Sequence, residues 1–165
     1  MFTLRCTRKL LARLKAAPAL DRVEPTTVLG DWYANLLFAR GDQVVLVVNE
    51  RTLLPVLVRA VPTADLVERF RVTASAMLLR LGVPVSAVEH ERRAMAEVRV
   101  GKTENRRAVG TMTDFAFLLE SYGTGHDTLD DLALRLASTP CSPIDMKYPV
   151  DVVAGVFRGG AGSSP

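Results

Sequence analysis

The sequence predicts an α+β fold, in which a small, mostly antiparallel sheet packs against several helices. Between residues 31 and 58 the apolar residues alternate or fill both faces of short runs, as they do in strands. After residue 63 they recur at i, i+3, i+4 and i+7, as they do in helices. We therefore expect a three-stranded meander, one or two further strands, and a largely helical second half.

The N-terminal segment predicts a strand followed by a short helix. Phe2 to Cys6 is mostly apolar, and Thr7 is a suitable cap for a helix whose leucines fall within residues 10–14. Two prolines then bracket an irregular link that leads to the meander.

The meander is predicted from three apolar runs and the turns between them. Trp32 to Phe38 alternates, and Gly41-Asp42 suits a tight hairpin turn because glycine accepts a positive φ at the first position. Val44 to Val48 is apolar on both faces, as in a central strand. Leu53 to Val58 completes the meander, and Pro55 within it indicates an edge strand or a strand start.

The remaining elements are predicted mainly from capping residues and helical spacing. Residues 1–158 are expected to form one domain, and the tail, residues 159–165, is expected to be disordered. The expected helices run from Thr63 to Gly82, Ser86 to Met95, Thr111 to Tyr122, Thr128 to Leu136 and Tyr148 to Phe157, with a strand at Glu97 to Val100.

Composition indicates an ordinary globular protein and excludes several classes. The chain has 165 residues, of which 48% are hydrophobic and 24% charged. Its net charge of +3 permits an acidic partner but is weaker than a typical nucleic-acid footprint. The basic run from Arg5 to Lys15 fits a solvated helix face as well as it fits a phosphate contact.

Cysteine usage and apolar run length predict a cytoplasmic location and no membrane partner. Cys6 and Cys141 lie far apart and form no disulfide pattern. No uninterrupted apolar run approaches the length of a membrane span. The sequence does not specify an oligomeric state.

The segment from Gly101 to Phe117 contains a Gly-Lys-Thr that resembles part of a phosphate-binding loop. Ala96 to Thr103 satisfies a relaxed form of that pattern, with alanine in place of the first glycine. The context does not fit, because Glu97 to Val100 is strand-like and no apolar helix follows at once. We therefore expect no nucleotide cofactor here.

The same segment is nevertheless the best candidate for a binding site. Lys102, Asn105 and Arg106 crowd into one turn before a helix, where cationic side chains can converge on an anion. A solvated turn whose side chains only fix the backbone explains these residues equally well. Together with Glu50 and Arg51 of the Asn49 to Thr52 turn, they form the predicted binding set.

An enzyme is the alternative interpretation. The acids nearest to strand ends and helix starts are Asp31, Glu50, Glu97 and Asp114. A hydrolase or nuclease would use Glu50, Glu97 or Asp114 together with Lys102 or Arg106, provided that the carboxylates converge. The sequence identifies no catalytic residue, predicts no cofactor, and has no histidine at zinc-like spacing.

Cys141 is a further candidate, as a nucleophile activated by His126. A free cysteine is more often a small buried apolar residue.

Several segments resemble a known prokaryotic family that is catalogued only as a domain of unknown function. They are LGDWYANLL (29–37), VNERTLLPVLV (48–58), GKTENR (101–106), GTMTDFAFLLE (110–120) and LRLASTPC (134–141). The resemblance implies no reaction, cofactor or catalytic residue. It implies only that certain polar residues stand in the family's motif segments, namely Asp31, Asn49, Glu50, Arg51, Lys102, Asn105, Arg106, Asp114 and Cys141.

The leading hypothesis is a non-enzymatic binding or regulatory module that uses the Lys102 to Arg107 turn. An acidic protein or a nucleic acid is the expected partner, because the turn is cationic. A pocket shared by both polar turns and Cys141 would favour the enzyme, whereas separate surfaces would favour the binding module.

Overall fold

The computed structural model describes residues 1–122 and 125–160 and confirms the α+β class. The strands are β1 (Phe2–Cys6), β2 (Trp32–Ala39), β3 (Asp42–Asn49), β4 (Pro55–Arg59) and β5 (Val98–Lys102). The helices are α1 (Arg8–Leu14), α2 (Leu66–Arg80), α3 (Val85–Ala94), α4 (Arg106–Ser121), α5 (Leu129–Ala137) and α6 (Pro149–Gly160), with 3₁₀ turns at Thr63–Asp65 and Ser142–Ile144.

The five strands form one sheet in the order β4-β3-β2-β1-β5. The predicted meander is confirmed, since β2, β3 and β4 pair antiparallel, with Pro55 opening the edge strand β4. The two further strands are β1 and β5, and β1 pairs parallel with both β2 and β5. This arrangement aligns Arg5 with Tyr33 on one side and with Gly101 on the other.

The turn between β2 and β3 lies one residue earlier than the sequence predicts. Ala39 pairs with Asp42, so Arg40 and Gly41 occupy the two turn positions and Asp42 already belongs to β3. Arg40 has φ 56° and Gly41 has φ 76°. Positive φ at both positions gives the twist that matches two antiparallel strands.

The two faces of the sheet carry different side chains. On one face Phe70 of α2 packs against Trp32 and Phe2, with ring centroids 5.0 Å and 6.0 Å apart. Because side chains alternate along a strand, Arg5 and Tyr33 point to the opposite face. That face is covered by α4, which packs on β2 and β3.

Of the three helix starts predicted at Ser86, Thr111 and Thr128, two are wrong and one is confirmed. Helix α4 begins at Arg106 under the cap of Asn105, and Thr111 lies inside the helix, where its hydroxyl donates to the Arg107 carbonyl. Ser86 does not cap α3, which starts at Val85. The capping box of α5 is present, between Thr128 and Asp131.

Helix α6 continues through Gly160, two residues into the tail that the sequence predicts to be disordered. The rest of that tail, residues 161–165, lies outside the described residues. Within the described ranges, no helix has both the length and the apolar character that a bilayer crossing requires.

Candidate functional site

Arg5 is the centre of a buried polar network on the face that α4 covers. Its side chain is only 7% exposed, although it carries a full charge. Nη2 lies 3.5 Å from Oδ2 of Asp31, and Nη1 lies 3.6 Å from Oε2 of Glu104. Nη1 also donates to the Lys102 carbonyl at 3.4 Å, whereas the buried Nε has no partner among the described residues. Arg5 thus ties the end of β5 to the residue that precedes β2.

Gly101 leaves space on β5 for the Arg5 side chain of the neighbouring strand β1. A Cβ at this position would lie 3.0 Å from Cγ2 of Thr3 and 3.5 Å from Nη1 of Arg5. Thr3 and Arg5 are fixed by β1, so the strand pairing leaves little room for a side chain on β5 here. The glycine in the Gly-Lys-Thr sequence therefore serves packing, and Lys102 itself ends a strand instead of opening a helix.

Asp31 is the buried counter-charge of Arg5. Its Oδ1 accepts a hydrogen bond from the Thr3 amide at 2.8 Å, while Oδ2 faces Arg5. Burial raises the pKa of the Asp31 carboxyl, and the negative charge of Glu50 raises it further. The Thr3 amide and Arg5 lower the pKa but do not overcome the burial. Asp31 and Glu50 are therefore electrostatically coupled.

Asn105 joins the two polar turns that the sequence analysis singles out. Its Oδ1 accepts from the Arg107 amide at 2.9 Å and so caps α4. Its Nδ2 donates to Oε1 of Glu50 at 3.1 Å, and its backbone amide donates to the Tyr33 hydroxyl at 3.0 Å. Burial, together with the charge of Glu50, raises the pKa of Tyr33, so this hydroxyl stays protonated at neutral pH.

Asn49 positions Glu50 from the other side. The Asn49 side chain is fully buried, and its Nδ2 donates to the carbonyls of Leu29 and Asp31 at 2.9 Å and 3.2 Å. Its Oδ1 accepts from the amides of Arg51 and Thr52. These contacts satisfy the whole amide group, so Asn49 fixes the turn and is not free to bind a ligand.

The basic residues near this network divide into two groups. Arg51 donates to the Val28 carbonyl at 2.7 Å, and Arg107 donates to the Pro143 carbonyl, so both guanidinium groups are held by the protein. Lys102 and Arg106 are exposed, and within residues 1–122 and 125–160 their side chains make no ion pair or hydrogen bond. We call residues 102–107 the cationic turn.

The structure does not bring Glu50, Glu97 and Asp114 together. Only Glu50 lies at the cationic turn. Glu97 sits at the opposite end of β5, where its carbonyl pairs with the Phe2 amide, roughly 16 Å of extended strand from Lys102. Asp114 is on α4, about 13 Å along the helix from Asn105. In the part of the chain that the structure describes, no group of three His, Cys, Asp or Glu side chains could hold a metal ion.

Cys141 lines a separate cavity of about 180 Å³ with Asp114, Phe115 and Pro140. The residue is 7% exposed, and its Sγ donates to the Thr139 carbonyl. Burial, and to a smaller extent the charge of Asp114, raises the pKa of the Cys141 thiol to about 11. This environment disfavours the thiolate that a nucleophile requires, and His126 does not line the cavity.

A large groove also lies away from the polar turns. It has a volume of about 760 Å³ and runs along β4 between α2 and α5, with Leu57, Val61, Val72 and Leu129 among its lining residues. No residue of the groove belongs to the cationic turn or to the Asn49 to Thr52 turn. The two polar turns contact each other, but they do not share this groove with Cys141.

Sequence reasoning missed Arg5, Tyr33 and Glu104 as members of the network. In the sequence, Arg5 belongs to a basic run that fits a solvated helix face, although it stands between apolar residues of a predicted strand. A charged residue at such a position indicates a buried charge. Gly101 is a second signal, because a glycine within a strand often marks the close approach of another group.

Comparison with known protein families gives a match over most of the chain. The model of one protein family, described as "Domain of unknown function (DUF6933)", matches residues 3–152. No curated protein and no solved structure matches the chain. The resemblance inferred from the sequence, to a family of unknown function, is confirmed.

Proposed function

The chain belongs to the DUF6933 family, whose description gives no activity, and we propose that the protein is a non-enzymatic binding or regulatory module of the prokaryotic cytoplasm. Its ligand is an anionic partner, an acidic protein segment or a nucleic acid, that docks on the cationic turn. One observation carries the proposal: Lys102 and Arg106 are exposed and unpaired within the described residues, on a turn that a buried network holds in place.

The network matters because it fixes the cationic turn before any ligand arrives. Asn105 is bonded at three points, to Tyr33, Glu50 and Arg107. A turn ordered in advance loses less conformational entropy on binding than a mobile one. The network thus contributes to affinity because it positions the cationic turn, although its own side chains do not contact the ligand.

The acids near the turn leave its surface positive. Glu104 is paired with Arg22 as well as with Arg5, and its distance to the Arg22 guanidinium is 3.6 Å. Glu50 accepts the hydrogen bond of Asn105 and is half-buried. Lys102 and Arg106 have no such counter-charge among the described residues, so an anion gains their attraction without displacing an internal partner.

The free cysteines support a reducing compartment. Cys6 and Cys141 are both free and buried. Disulfide bonds form and persist in oxidising compartments and are rare in the cytosol, which is the compartment that two free thiols fit.

The experiment compares two charge-matched double variants of the full chain. Lys102→Gln/Arg106→Gln removes two unpaired charges from the turn, and Arg92→Gln/Arg93→Gln removes two exposed charges from α3 as the control. Binding of fluorescent poly-L-glutamate and of a labelled DNA duplex is titrated at low salt. For whichever of the two probes binds the wild-type protein, we expect Lys102→Gln/Arg106→Gln, the turn variant, to lower the affinity about tenfold. The control variant should lower it far less. Equal affinity in wild type and turn variant would refute the assignment.

A hydrolase or nuclease is the second candidate function, and the coupling of Glu50 to Asp31 is the observation that favours it. Two neighbouring carboxyl groups in different environments can divide the roles of general acid and general base. The test is release of p-nitrophenol from an ester and from a phosphodiester at pH 5 to 8. Turnover that disappears in Glu50→Gln would support this function, and rates equal to buffer at every pH would exclude it for these substrates.

A further inference from the structure

We propose that the anion-binding surface extends from the cationic turn onto α1 and is suited to the phosphate backbone of a nucleic-acid duplex. This inference rests on the proposed function of the turn. It adds a second segment and names the class of ligand.

The evidence begins with the basic side chains that have no internal partner. Most Lys and Arg side chains of this protein make an ion pair or a hydrogen bond. Among residues 1–122 and 125–160, those that make neither are Arg8, Lys9, Arg13, Lys15, Lys102, Arg106 and Lys147. All except Lys147 belong to α1, to its C-cap Lys15, or to the cationic turn. We call these six residues the basic corner.

The fold brings the two segments of the basic corner together. Cys6 at the end of β1 pairs with Lys102 at the end of β5, and α1 starts two residues after Cys6. After α1 the chain returns to β5, where the Ala19 amide donates to the Val100 carbonyl at 2.8 Å. The chain thus leaves the sheet beside Lys102 and comes back within two residues of it. Helix α1 is only about 10 Å long, so its cations stay near this corner.

Helix α1 directs its basic residues outwards because its leucines pack inwards. Leu10 is fully buried, and Leu11 and Leu14 pack against the core. The helix has no acid in its first turn, and Lys9 and Arg13 are spaced i, i+4. Like charges at this spacing destabilise an isolated helix by a few tenths of a kcal/mol, about 0.2–0.5. A bound polyanion would relieve this repulsion.

The surroundings of the basic corner fit a phosphate backbone better than a protein surface. Specific protein interfaces have an apolar centre with charges at the rim. Leu20 is the one large exposed apolar side chain among the described residues that lies close in sequence to the basic corner, so this corner has no apolar centre. A duplex, by contrast, presents about one negative charge per 1.7 Å of its axis and needs only distributed cations.

The same surroundings favour a duplex over a single strand. Proteins that hold single strands stack the bases on exposed aromatic rings. Trp32 and Tyr33 are fully buried. The exposed aromatic side chains of the described residues are Phe38, Phe117 and Tyr148, which lie near the end of β2, in the fourth turn of α4 and just before α6. The basic corner therefore offers charge without a stacking surface, and we expect binding that does not depend on base sequence.

The test measures the salt dependence of binding, using the full chain and two 20-base-pair DNA duplexes of unrelated sequence. Each phosphate contact contributes about −0.9 to the slope of log K against log salt, so six cations predict a slope of about −5. We expect Arg8→Gln/Lys9→Gln to reduce the magnitude of the slope by about 2 units, and Lys102→Gln/Arg106→Gln to do the same. Arg92→Gln/Arg93→Gln should keep the wild-type slope. Glutamine keeps the helix propensity of α1, and circular dichroism checks the fold of each variant.

The outcomes separate this inference from the proposed function. If the turn variant weakens binding and the α1 variant does not, the extension onto α1 is wrong and the turn remains the site. If poly-L-glutamate, a single strand of equal length or phosphatidylserine vesicles bind more tightly than both duplexes, the ligand class is wrong. If neither variant differs from wild type with any probe, the proposed function fails as well.

Discussion

The two edges of the sheet show how differently this protein uses burial. Along β4, leucine and valine side chains line the groove between α2 and α5, together with charged side chains such as Glu68 and Asp130. Near β5, the chain buries Arg5 and Asp31 beneath a turn that carries exposed cations. Apolar burial stabilises a fold without fixing any one loop, whereas a buried ion pair adds little net stability but demands a particular geometry. The difference indicates that the β5 side holds its turn in a particular position, which is what the proposed binding role requires.

The largest expected effect comes from removing the buried cation. Arg5→Met keeps an unbranched apolar stem but leaves Asp31 with an uncompensated buried charge, and we expect a loss of about 3 kcal/mol at neutral pH. At the other edge, Val72→Ala truncates a side chain that is 47% exposed and should lower stability by less than about 1 kcal/mol. Urea unfolding at pH 7 measures the free energy of unfolding of both variants. Equal losses of stability would contradict the difference between the two edges of the sheet.

The pH dependence of the same variant tests the cause. In the folded protein the pKa of Asp31 is already raised, and loss of Arg5 raises it further. A carboxyl whose pKa is raised by folding favours the folded state below its unfolded pKa, and this contribution is lost as pH rises through the folded pKa. We therefore expect Arg5→Met to be closest to wild type near pH 4. Arg5→Met/Asp31→Asn should remove this pH dependence.

The second prediction concerns the close approach of β5 to β1. Gly101→Ala places a methyl group 3.0 Å from Thr3 and 3.5 Å from Arg5, and we expect it to destabilise the protein by about 2 kcal/mol. Gly110→Ala is the matched control, because Gly110 lies in α4 with nothing within 4 Å of the added Cβ. Alanine favours helix by about 1 kcal/mol over glycine, so this control should stabilise. Thermal unfolding compares the two, and the same sign for both would contradict the packing role of Gly101.

The sequence predicted the fold class better than the site, and the reason is physical. Alternating and helical apolar patterns report burial against a core, so the meander and the box that caps α5 were recognised from local residues. The wrong start of α4 shows the limit of local patterns. Thr111 with Asp114 has the spacing of a capping box, but the residue that caps the helix is Asn105, six positions earlier.

The site depends on contacts that no local pattern contains. Asn105 and Glu50 are bonded across 55 positions of sequence, and Arg5 meets Asp31 only because β1 lies between β2 and β5. The parallel placement of β1 follows from the path of the link after α1, which has no apolar periodicity to predict it. Residue types alone could nominate Glu50, Lys102 and Arg106, but they could not separate the positioned residues from the exposed ones.

The third prediction concerns Asn105, whose hydrogen bond to Glu50 connects the two polar turns. Asn105→Ala removes the cap of α4 and the bond to Glu50, and we expect a loss of about 1 kcal/mol in stability together with weaker anion binding. Asn105→Asp can still cap the helix but places a carboxylate beside Glu50. It should therefore keep most of the stability while it lowers the affinity for a polyanion further. Calorimetric unfolding and probe titration separate these effects, and full affinity in both variants would contradict the positioning role.

The smallest expected effect lies at the cysteines, away from both edges. Burial raises the pKa of Cys6 to about 12 and that of Cys141 to about 11, so both should react slowly with iodoacetamide at pH 7.5 in the native protein. Asp114 also raises the pKa of Cys141, and Asp114→Asn should therefore speed alkylation of Cys141 by a factor of about two or three. Cys6 is the internal control, because its pKa has no contribution from Asp114. Mass spectrometry of each labelled peptide gives the two rates. Fast labelling of Cys141 in the wild-type protein would show that its cavity activates the thiol, and a second functional region would then have to be assigned beside the cationic turn.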